Sequence, residues 1–287
     1  PVKRISLQET TQLVGTIAAN ESAQLRAEYP GVVVAVHFEE GSQVTKGDKL
    51  IELDTRELEA QVAEAKAGLA LAAKTLERNR RLLKDRAVSE LEADAAEAQH
   101  ERLKALLEGL EVKLSKSVIK APFDGVVGGR PVSVGDYLTP QSLITTLDDL
   151  SRLKVEMEVP ERYLPLLEPG GRFKLSATTL DNGGQTSGEV YFVSPRVDVE
   201  TRSALIKGYI PEPPAALKPG MFANITLVLR EVENALVVAE SAVLSTTKGS
   251  VLIKPDGPEG KQVAAFVPVK LGIRVPGYVQ ITPVGPP

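Results

Sequence analysis

The residue types that carry most enzyme chemistry are scarce in this chain of 287 residues. It contains no cysteine and only two histidines, His37 and His100. His37 falls in a predicted strand and His100 in a predicted helix, and neither has a cysteine or a second histidine nearby in the sequence. The absence of cysteine excludes disulfides, thiol catalysis and cysteine-ligated metals. We expect no Ser-His-Asp or metal constellation, and we interpret both histidines as packing residues.

Motifs for binding phosphate or soft metal ions are also incomplete. The glycine-rich stretch GVVGG at 125–129 lacks the Lys-Ser/Thr ending and the following helix that a phosphate loop requires. Copper and silver prefer thioether and imidazole ligands, but the two methionines, Met157 and Met221, are far apart in the sequence. We predict that the protein is not an enzyme and has neither a cofactor nor a metal site.

Composition narrows the class of protein further. The formal net charge of −4 offers no basic surface, so we expect no nucleic-acid partner. Aromatic residues make up 4% of the chain and tryptophan is absent, which favours several small cores over one large core. No apolar run approaches the roughly 18 residues that a membrane-spanning helix needs.

One β-motif occurs twice in the chain. The stretches PGVVVAVHFEEGSQVTKGDKLIELD at 30–54 and DGVVGGRPVSVGDYLTPQSLITTLD at 124–148 align without a gap. The pairs that this register matches include Gly31 with Gly125, Gly41 with Gly135, Val44 with Leu138, Leu50 with Ile144, and Leu53 with Leu147. Each copy has the form of half a lipoyl or biotinyl carrier domain, which is a flattened β-sandwich built from two similar halves.

The segment between the two copies has a helical pattern. Proline is absent from Thr55 to about Leu114, and apolar residues recur at spacings of three and four, as coiled-coil helices require. The seam residues are Leu58, Val62, Ala65, Leu69, Ala72, Leu76 and Leu83, then Ala93, Ala96, His100, Leu103, Leu107, Leu110 and Leu114, with Asn79 as a polar break. Ser89 and Glu92 form a capping-box pattern. We predict one antiparallel helical hairpin with its turn just before Ser89.

The remaining segments alternate as short strands. The first 25 residues predict one or two strands with a kink at Gly15. Residues 151–233 predict a small antiparallel barrel or sandwich, with one short helix in PERYLPLL and a hairpin turn at DNGG, residues 181–184. From Ala235 onward the pattern indicates a further β-module.

This nested order strongly resembles the periplasmic adaptor (membrane fusion) proteins of bacterial tripartite efflux pumps. The resemblance rests on four sequence segments that occur in this order: AEYPGVVVAVHFEEGSQVTKGD, IKAPFDGVVG, VSVGDYL and LKPGMFANITL. The resemblance implies a mixed α and β, multidomain and elongated fold. Its parts are a split lipoyl-like β-sandwich with an inserted coiled-coil α-hairpin, a small antiparallel β-barrel and a membrane-proximal β-domain.

The resemblance also suggests domain boundaries. We place the membrane-proximal β-domain at 1–12 and 234–287, the β-barrel domain at 13–23 and 151–233, the lipoyl-like domain at 24–54 and 118–150, and the α-helical hairpin at 55–117.

One short motif near the predicted turn suggests a docking site. Adaptors that meet a TolC-like outer-membrane channel carry an arginine, a leucine four positions later and a serine seven positions after that. Arg78, Leu82 and Ser89 fall at these spacings. An arginine offers planar donors to carbonyls or carboxylates, a leucine can fill a shallow groove, and a small serine permits close approach. A purely structural alternative remains, with Ser89 as an N-cap and Leu82 in the helical core.

The resemblance implies partners and a location. We expect an inner-membrane transporter of the resistance-nodulation-division (RND) type, a TolC-like outer-membrane channel, and self-association into a hexamer in the assembled pump. The protein is expected in the periplasm, anchored to the inner membrane by an N-terminal lipid or segment that this chain does not contain.

Three alternatives stay open at this point. One is an adaptor of an ABC-type exporter or a type I secretion system. Another is a lipoyl or biotinyl carrier, although we predict no lysine on a tight turn in either repeat. The third is a coiled-coil scaffold with no role in a pump.

Overall fold

The structure is a computed structural model that describes residues 2–177, 179, 184–246, 249–256 and 263–284. It is mostly β, with two long α-helices. The elements in chain order are β1 (Lys3–Arg26), β2 (Gly31–Val36), β3 (Gln43–Val44), β4 (Lys49–Leu53), α1 (Arg56–Lys84), α2 (Glu90–Lys116), β5 (Val118–Lys120), β6 (Gly125–Val127), β7 (Tyr137–Leu138), β8 (Leu143–Pro160), β9 (Arg172–Ser176), β10 (Gln185–Val193), β11 (Ser203–Ile210), β12 (Phe222–Ala239), β13 (Val243–Thr246), β14 (Gly249–Asp256), β15 (Val263–Val275) and β16 (Tyr278–Pro283). Short 3-10 helices cover Glu161–Leu166 and Glu240–Ala242.

The chain forms two compact units. Residues 20–150 make up one unit, and residues 1–19 together with 151–287 make up the other. The first unit contains the β-sandwich and both helices, and the second contains the remaining strands. Strands β1 and β8 each contribute residues to both units.

The two copies of the repeat exchange strands in the sandwich. Gly31 of β2 pairs with Leu138 of β7. Its repeat equivalent, Gly125 of β6, pairs with Val44 of β3, which is the equivalent of Leu138. The sequence register is therefore confirmed by the strand pairing.

Hydrogen bonds outside the strands repeat in the same register. The N–H of Gly41 donates to the carbonyl of Val127 at 3.0 Å, and the N–H of Gly135 donates to the carbonyl of Val33 at 2.9 Å. Both glycines have positive φ, +77° and +96°, a conformation that glycine adopts without strain. Because each half donates to the other, neither half has a complete set of partners alone.

A shared core lies between the two sheets of the sandwich. Equivalent residues of the two copies are buried together: Val33 and Val127, Leu50 and Ile144, and Leu53 and Leu147. The correspondence extends beyond the aligned stretch, since Ala27 and Ala121 are also buried in this core. The alternation of the apolar residues in each copy thus places one face of each sheet inward.

The two long helices pack against each other in antiparallel orientation. Lys66 near the start of α1 forms an ion pair with Glu111 near the end of α2, at 3.0 Å. Arg80 near the end of α1 forms one with Glu97 near the start of α2, at 2.9 Å. The seam residues that are buried are Leu58, Val62, Ala65, Ala72 and Leu76 of α1 and Ala93 and Leu110 of α2.

The second unit contains an antiparallel barrel-like sheet. Its strands follow the order β12-β9-β10-β11-β8, and β1 pairs with β12. The core of this sheet includes Phe173, Leu175, Ile206, Ile225 and Met157, all nearly inaccessible to solvent. The 3-10 helix Glu161–Leu166 occupies the position of the predicted short helix.

The predicted kink at Gly15 is wrong. Strand β1 is continuous, its pairing with β12 is regular around Gly15, and its register shifts fall nearer the amino end, between Ile5 and Leu7 and between Glu9 and Thr10. Gly15 instead allows neighbouring strands to pack closely against β1. A Cβ there would lie 2.3 Å from Cδ1 of Ile225 and 2.9 Å from the carbonyl oxygen of Glu156.

The last strands extend this sheet as a meander in the order β13-β14-β15-β16-β12. Alternate residues of β12 serve two apolar clusters: Ala235 and Val237 lie in one, and Val238 lies in the other. The predicted turn at 181–184 lies outside the described residues except for Gly184. Within the described ranges, no helix is long and apolar enough to cross a membrane.

Candidate docking tip of the helical pair

Helix α1 ends in a turn with two specific hydrogen bonds. The N–H of Arg86 donates to the carbonyl of Leu83 at 3.0 Å, and the N–H of Ala87 donates to the carbonyl of Leu82 at 2.8 Å. This pair of bonds defines a Schellman motif, which satisfies the last carbonyls of a helix. The motif requires a left-handed residue, and Arg86 adopts it with φ +56°. Glycine usually occupies this position, so the turn holds a strained arginine.

Helix α2 begins with a complete capping box. The side-chain oxygen of Ser89 accepts a hydrogen bond from the N–H of Glu92 at 3.3 Å. In return, the N–H of Ser89 donates to the Glu92 carboxylate at 3.0 Å. The predicted N-cap is confirmed, and Ser89 remains exposed while it performs this role.

The arginines near the end of α1 differ in their partners. Arg80 pairs with Glu97 across the helices at 2.9 Å, and Arg81 pairs with Glu77 one turn back at 2.5 Å. Arg78 is exposed and makes no hydrogen bond or ion pair with any residue that the structure describes. Within the described residues, the donors of its guanidinium group are therefore unused.

Arg78 and Leu82 lie one turn apart on α1, which places them on the same face of the helix. Leu82 is half-buried, so part of its side chain remains accessible. Ser89 is the last residue of the turn, but its side chain is already engaged by Glu92. The structure thus brings together, beside the turn, a partly exposed apolar side chain and a cation that has no partner among the described residues.

Two features of the tip were missed by sequence reasoning. The left-handed conformation of Arg86 has no signal in the sequence, because arginine is not a residue that favours this conformation. Asn79, which the apolar pattern treats as a break, donates from its side-chain amide to the carbonyl of Glu92 at 3.4 Å. A polar residue at one seam position is a known means of fixing helical register.

Each histidine lies beside a surface carboxylate. His37 lies 3.6 Å from the Glu52 carboxylate, which also accepts a 2.7 Å bond from Lys49. The bond from Lys49 lowers the pKa of Glu52. His100 lies 3.1 Å from Glu101. In the described part of the chain, no group of three or more histidine or carboxylate side chains is arranged to hold a metal ion.

Two protein-family models match the chain, each over a different part of it. Residues 21–146 match the barrel-sandwich hybrid domain of RND MFP (membrane fusion) proteins. Residues 153–231 match the CusB-like beta-barrel domain. The first match contains both helices and all but the last two residues of the repeat. The second contains β9, β10 and β11 and parts of β8 and β12.

Individual proteins agree with these matches. An uncharacterized protein of Haemophilus influenzae is 30% identical over 270 residues, which cover 91% of this chain and 70% of that protein. The multidrug resistance protein MdtA of Proteus mirabilis is 30% identical over 257 residues, which cover 82% of this chain and 62% of MdtA. The chain thus corresponds to less than two thirds of the length of MdtA.

A solved structure supports the fold. The MacA-MexA chimeric protein, which contains the Pseudomonas aeruginosa MexA alpha-hairpin domain, superposes with a TM-score of 0.78 at 22% identity. The superposition covers 98% of this chain and 94% of the chimera. Taken with the family models, these similarities show that the chain belongs to the RND membrane fusion proteins, the periplasmic adaptor family of efflux pumps.

Proposed function

We propose that this protein links an inner-membrane RND transporter to a TolC-like outer-membrane channel in a tripartite efflux pump. The family and the relatives support this function: the Proteus mirabilis relative is named a multidrug resistance protein. The protein acts without catalysis, by joining its partners and passing conformational change between them. It works in the periplasm, anchored at the inner membrane, and self-associates into a hexamer around the pump axis.

The proposal assigns a separate role to each domain of the chain. Residues 55–117 form the hairpin that reaches the channel, and residues 24–54 with 118–150 form the lipoyl-like body that holds it. The β-barrel domain (13–23 and 151–233) and the membrane-proximal domain (1–12 and 234–287) face the transporter.

The observation that carries the docking role is the free guanidinium of Arg78 beside Leu82. Each neighbouring arginine of the same helix is neutralised by a glutamate, whereas Arg78 has no partner among the described residues. An arginine presents its donors in a planar fork that suits carbonyls and carboxylates. We assign Arg78, Leu82 and Ser89 to the contact with the channel, with Arg78 donating, Leu82 filling a groove and Ser89 allowing close approach.

Crosslinking in living cells tests this assignment. A photo-crosslinking residue is placed at Asp85, which is exposed in the turn, and a second one at Lys104, which is exposed in the middle of α2. We expect the Asp85 variant to crosslink to an outer-membrane channel and the Lys104 variant not to do so. A hairpin that crosslinks only to soluble proteins would contradict the channel-docking role.

Substitutions then test the individual side chains. Arg78→Gln removes the free charge, and Lys74→Gln removes an exposed charge from α1 one turn earlier as a matched control. Losing one charged hydrogen bond of about 2 kcal/mol corresponds to a drop in affinity of roughly thirtyfold. We expect this drop for Arg78→Gln, a weaker crosslink for Leu82→Asp because a carboxylate does not fit an apolar groove, and an unchanged crosslink for Lys74→Gln. Equal effects of the two glutamine variants would contradict a specific role for Arg78.

A further inference from the structure

The strands at the end of the chain enclose an apolar groove of about 520 Å³. This volume lies within the range of pockets that bind small molecules. The walls of the groove come from four strands that are neighbours in the sheet, β14, β15, β16 and β12. The aliphatic side chains that line it include Leu236, Val238, Leu252, Val267, Val269 and Ile281. We call this pocket the β12–β16 groove.

The described residues leave one side of this groove uncovered. Val269 and Ile281 are buried in the apolar cluster beneath it, whereas Leu252 and Val267 pack against that cluster and are only partly buried. The core of the barrel-like sheet, in contrast, is nearly inaccessible to solvent. Aliphatic surface that stays in contact with water favours any ligand that covers it, because removing apolar area from water is favourable.

The lining of the groove selects among classes of ligand. Among the described residues that line it, none is aromatic, so a flat ring has no side chain on which to stack. The same residues include no hydroxyl, amide or carboxylate side chain that could orient a sugar or a nucleotide. An unbranched aliphatic chain needs neither kind of group, because apolar contact is not directional.

One cation lies at the groove. Lys254 of β14 lines it, is exposed, and is the only charged side chain among the described lining residues. It forms no ion pair with any residue in the described ranges. A lysine ammonium group offers a positive charge and three hydrogen-bond donors but no acceptor. The groove therefore combines an aliphatic lining with one site for an anion.

The charge of the surrounding domain agrees with this site. Residues 1–12 and 234–287, the proposed membrane-proximal domain, contain seven lysines and arginines and four aspartates and glutamates. The whole chain contains 34 and 38 of these residues and has a net charge of −4. This domain is therefore positive within a negative protein, and a local excess of positive charge raises the local concentration of anions.

We propose that the β12–β16 groove binds a single anionic amphiphile, an unbranched aliphatic chain that ends in a carboxylate or a sulfate. The chain lies against Val238, Val269 and Ile281, and the anionic group accepts hydrogen bonds from Lys254. A concave groove favours one molecule over the flat surface of a bilayer, because a pocket surrounds most of its ligand. The inference goes beyond the proposed function, and its test requires neither a transporter nor a channel.

Titration calorimetry of the purified protein tests the class of ligand. The probes are sodium dodecanoate and dodecyltrimethylammonium chloride, which have the same chain length and opposite charges, each used below its micelle concentration. We expect dodecanoate to bind at least about tenfold more tightly, because only its head group accepts a charged hydrogen bond. Decanoate should bind about fifteenfold more weakly than dodecanoate, since each buried methylene contributes about fourfold. Equal binding of the two charges, or no dependence on chain length, would overturn the inference.

Substitution of the cation tests the head-group site. Lys254→Gln removes the charge at the groove, and Lys270→Gln is the matched control, since Lys270 is an exposed lysine of β15 that does not line the groove. We expect the affinity for dodecanoate to fall about tenfold in Lys254→Gln and to stay unchanged in Lys270→Gln. The affinity for dodecyltrimethylammonium should fall in neither variant. Equal effects of the two substitutions on dodecanoate would count against the site.

A bulkier side chain tests the apolar part of the groove. Ala242 lines the groove and is exposed, so Ala242→Phe narrows the groove without removing a core residue. Ala95→Phe, at an exposed position of α2, is the matched control. We expect Ala242→Phe to weaken the binding of both amphiphiles at least about tenfold with an unchanged melting temperature, and Ala95→Phe to have no effect. Unchanged binding in Ala242→Phe would place the ligand elsewhere.

Methyl NMR of the unaltered protein locates the ligand without any substitution. Dodecanoate should shift the methyl signals of Leu252, Val267 and Ile281 and leave those of Leu175 and Ile206, in the core of the barrel-like sheet, in place. Shifts confined to the barrel-like sheet would overturn the inference. Sedimentation with phosphatidylglycerol vesicles distinguishes the remaining source of the same chemistry. Protein that sediments with vesicles but does not bind dodecanoate would show that the groove rests on a bilayer, contrary to the inference.

Discussion

At the scale of single residues, an ion pair marks the junction between the sandwich and the first helix. Asp54 follows β4, and its carboxylate accepts hydrogen bonds from the Arg56 guanidinium at 2.6 Å and 3.0 Å and from the Arg56 backbone N–H at 3.1 Å. These bonds lower the pKa of Asp54 to about 2. The repeat equivalent, Asp148, is followed by a continuing strand instead of a helix.

The first prediction concerns this carboxylate. Arg56→Gln should raise the pKa of Asp54 above its present value of about 2, because the bonds to the guanidinium are lost. The pKa should stay below its ordinary value of about 3.9, because the backbone N–H of residue 56 still donates to the carboxylate. The measurement is a carbon-13 NMR titration of the Asp54 carboxyl signal. Arg102→Gln, on the other helix, should leave that pKa unchanged.

The sign of the accompanying pH effect follows from the lowered pKa. A carboxyl whose pKa is lower in the folded state than in the unfolded state stabilises the fold above the unfolded pKa. That contribution disappears as the pH falls from about 4 to about 2. A wild-type pKa near 4 for Asp54 would show that the pair with Arg56 does not form in solution.

At the scale of elements, the two helix ends that meet at the turn are capped by two different motifs. A Schellman motif closes α1, and a capping box opens α2. Between them the turn contains only residues 85–89. Because both helix ends are satisfied by local bonds, the turn is defined without help from the rest of the molecule. This definition keeps Arg78 and Leu82 in a fixed relation to the turn.

The second prediction separates the two roles of Ser89. Ser89→Ala should destabilise the helical pair by about 1 kcal/mol, since it removes the N-cap acceptor. Ser89→Asp should have little effect on stability, because aspartate caps as well as serine and its charge suits a helix N-terminus. Both values come from urea denaturation followed by circular dichroism.

The same two variants test the docking role of Ser89. If Ser89 contacts the channel, Ser89→Asp should weaken the Asp85 crosslink although the helix remains capped. A crosslink that weakens only in Ser89→Ala would assign Ser89 a structural role alone.

At the scale of the whole molecule, the helices are an insertion into a sandwich that is complete without them. Strand β4 pairs with β5, with Glu52 opposite Val118. The N–H of Leu53 donates to the carbonyl of Ser117 at 2.9 Å. The two points where the helices leave the sandwich are therefore adjacent, as in an ordinary β-hairpin.

The third prediction is that the sandwich survives removal of the helices. Replacing residues 56–116 by Gly-Gly leaves a five-residue loop between β4 and β5, a length within the usual range for hairpins. We expect the variant to keep its β-type circular dichroism and a cooperative melting transition. The loss of the exposed pair between Lys116 and Glu28 should cost at most about 1 kcal/mol.

This variant should also lose the crosslink to the channel, because the proposed docking tip is absent. An unfolded variant would show that the helices contribute to the sandwich core, contrary to this description. Retained binding to the channel would contradict the docking role of the tip.

The sequence alone determined the features that depend on local pattern. Residue spacing predicted both helices and most of the buried face of α1, since buried positions of a helix recur every three or four residues. On α2 only Ala93 and Leu110 of the predicted seam are buried. The capping box was predicted from Ser89 and Glu92 because its bonds are local. The repeat register followed from matched apolar residues and glycines, which recur wherever two segments share one backbone conformation. Four sequence stretches that are typical of the family, found in the family's order, then indicated the adaptor fold and function.

Only the tertiary structure decided the features that depend on distant partners. Gln141 adopts a positive φ of +75° where the first copy has Gly47, held by a bond from its N–H to the carbonyl of Ala27. Gly15 meets Ile225 and Glu156 across the sheet. Such contacts join residues more than a hundred positions apart, so no local pattern encodes them. For the same reason, only the structure showed that Arg78 has no partner among the described residues.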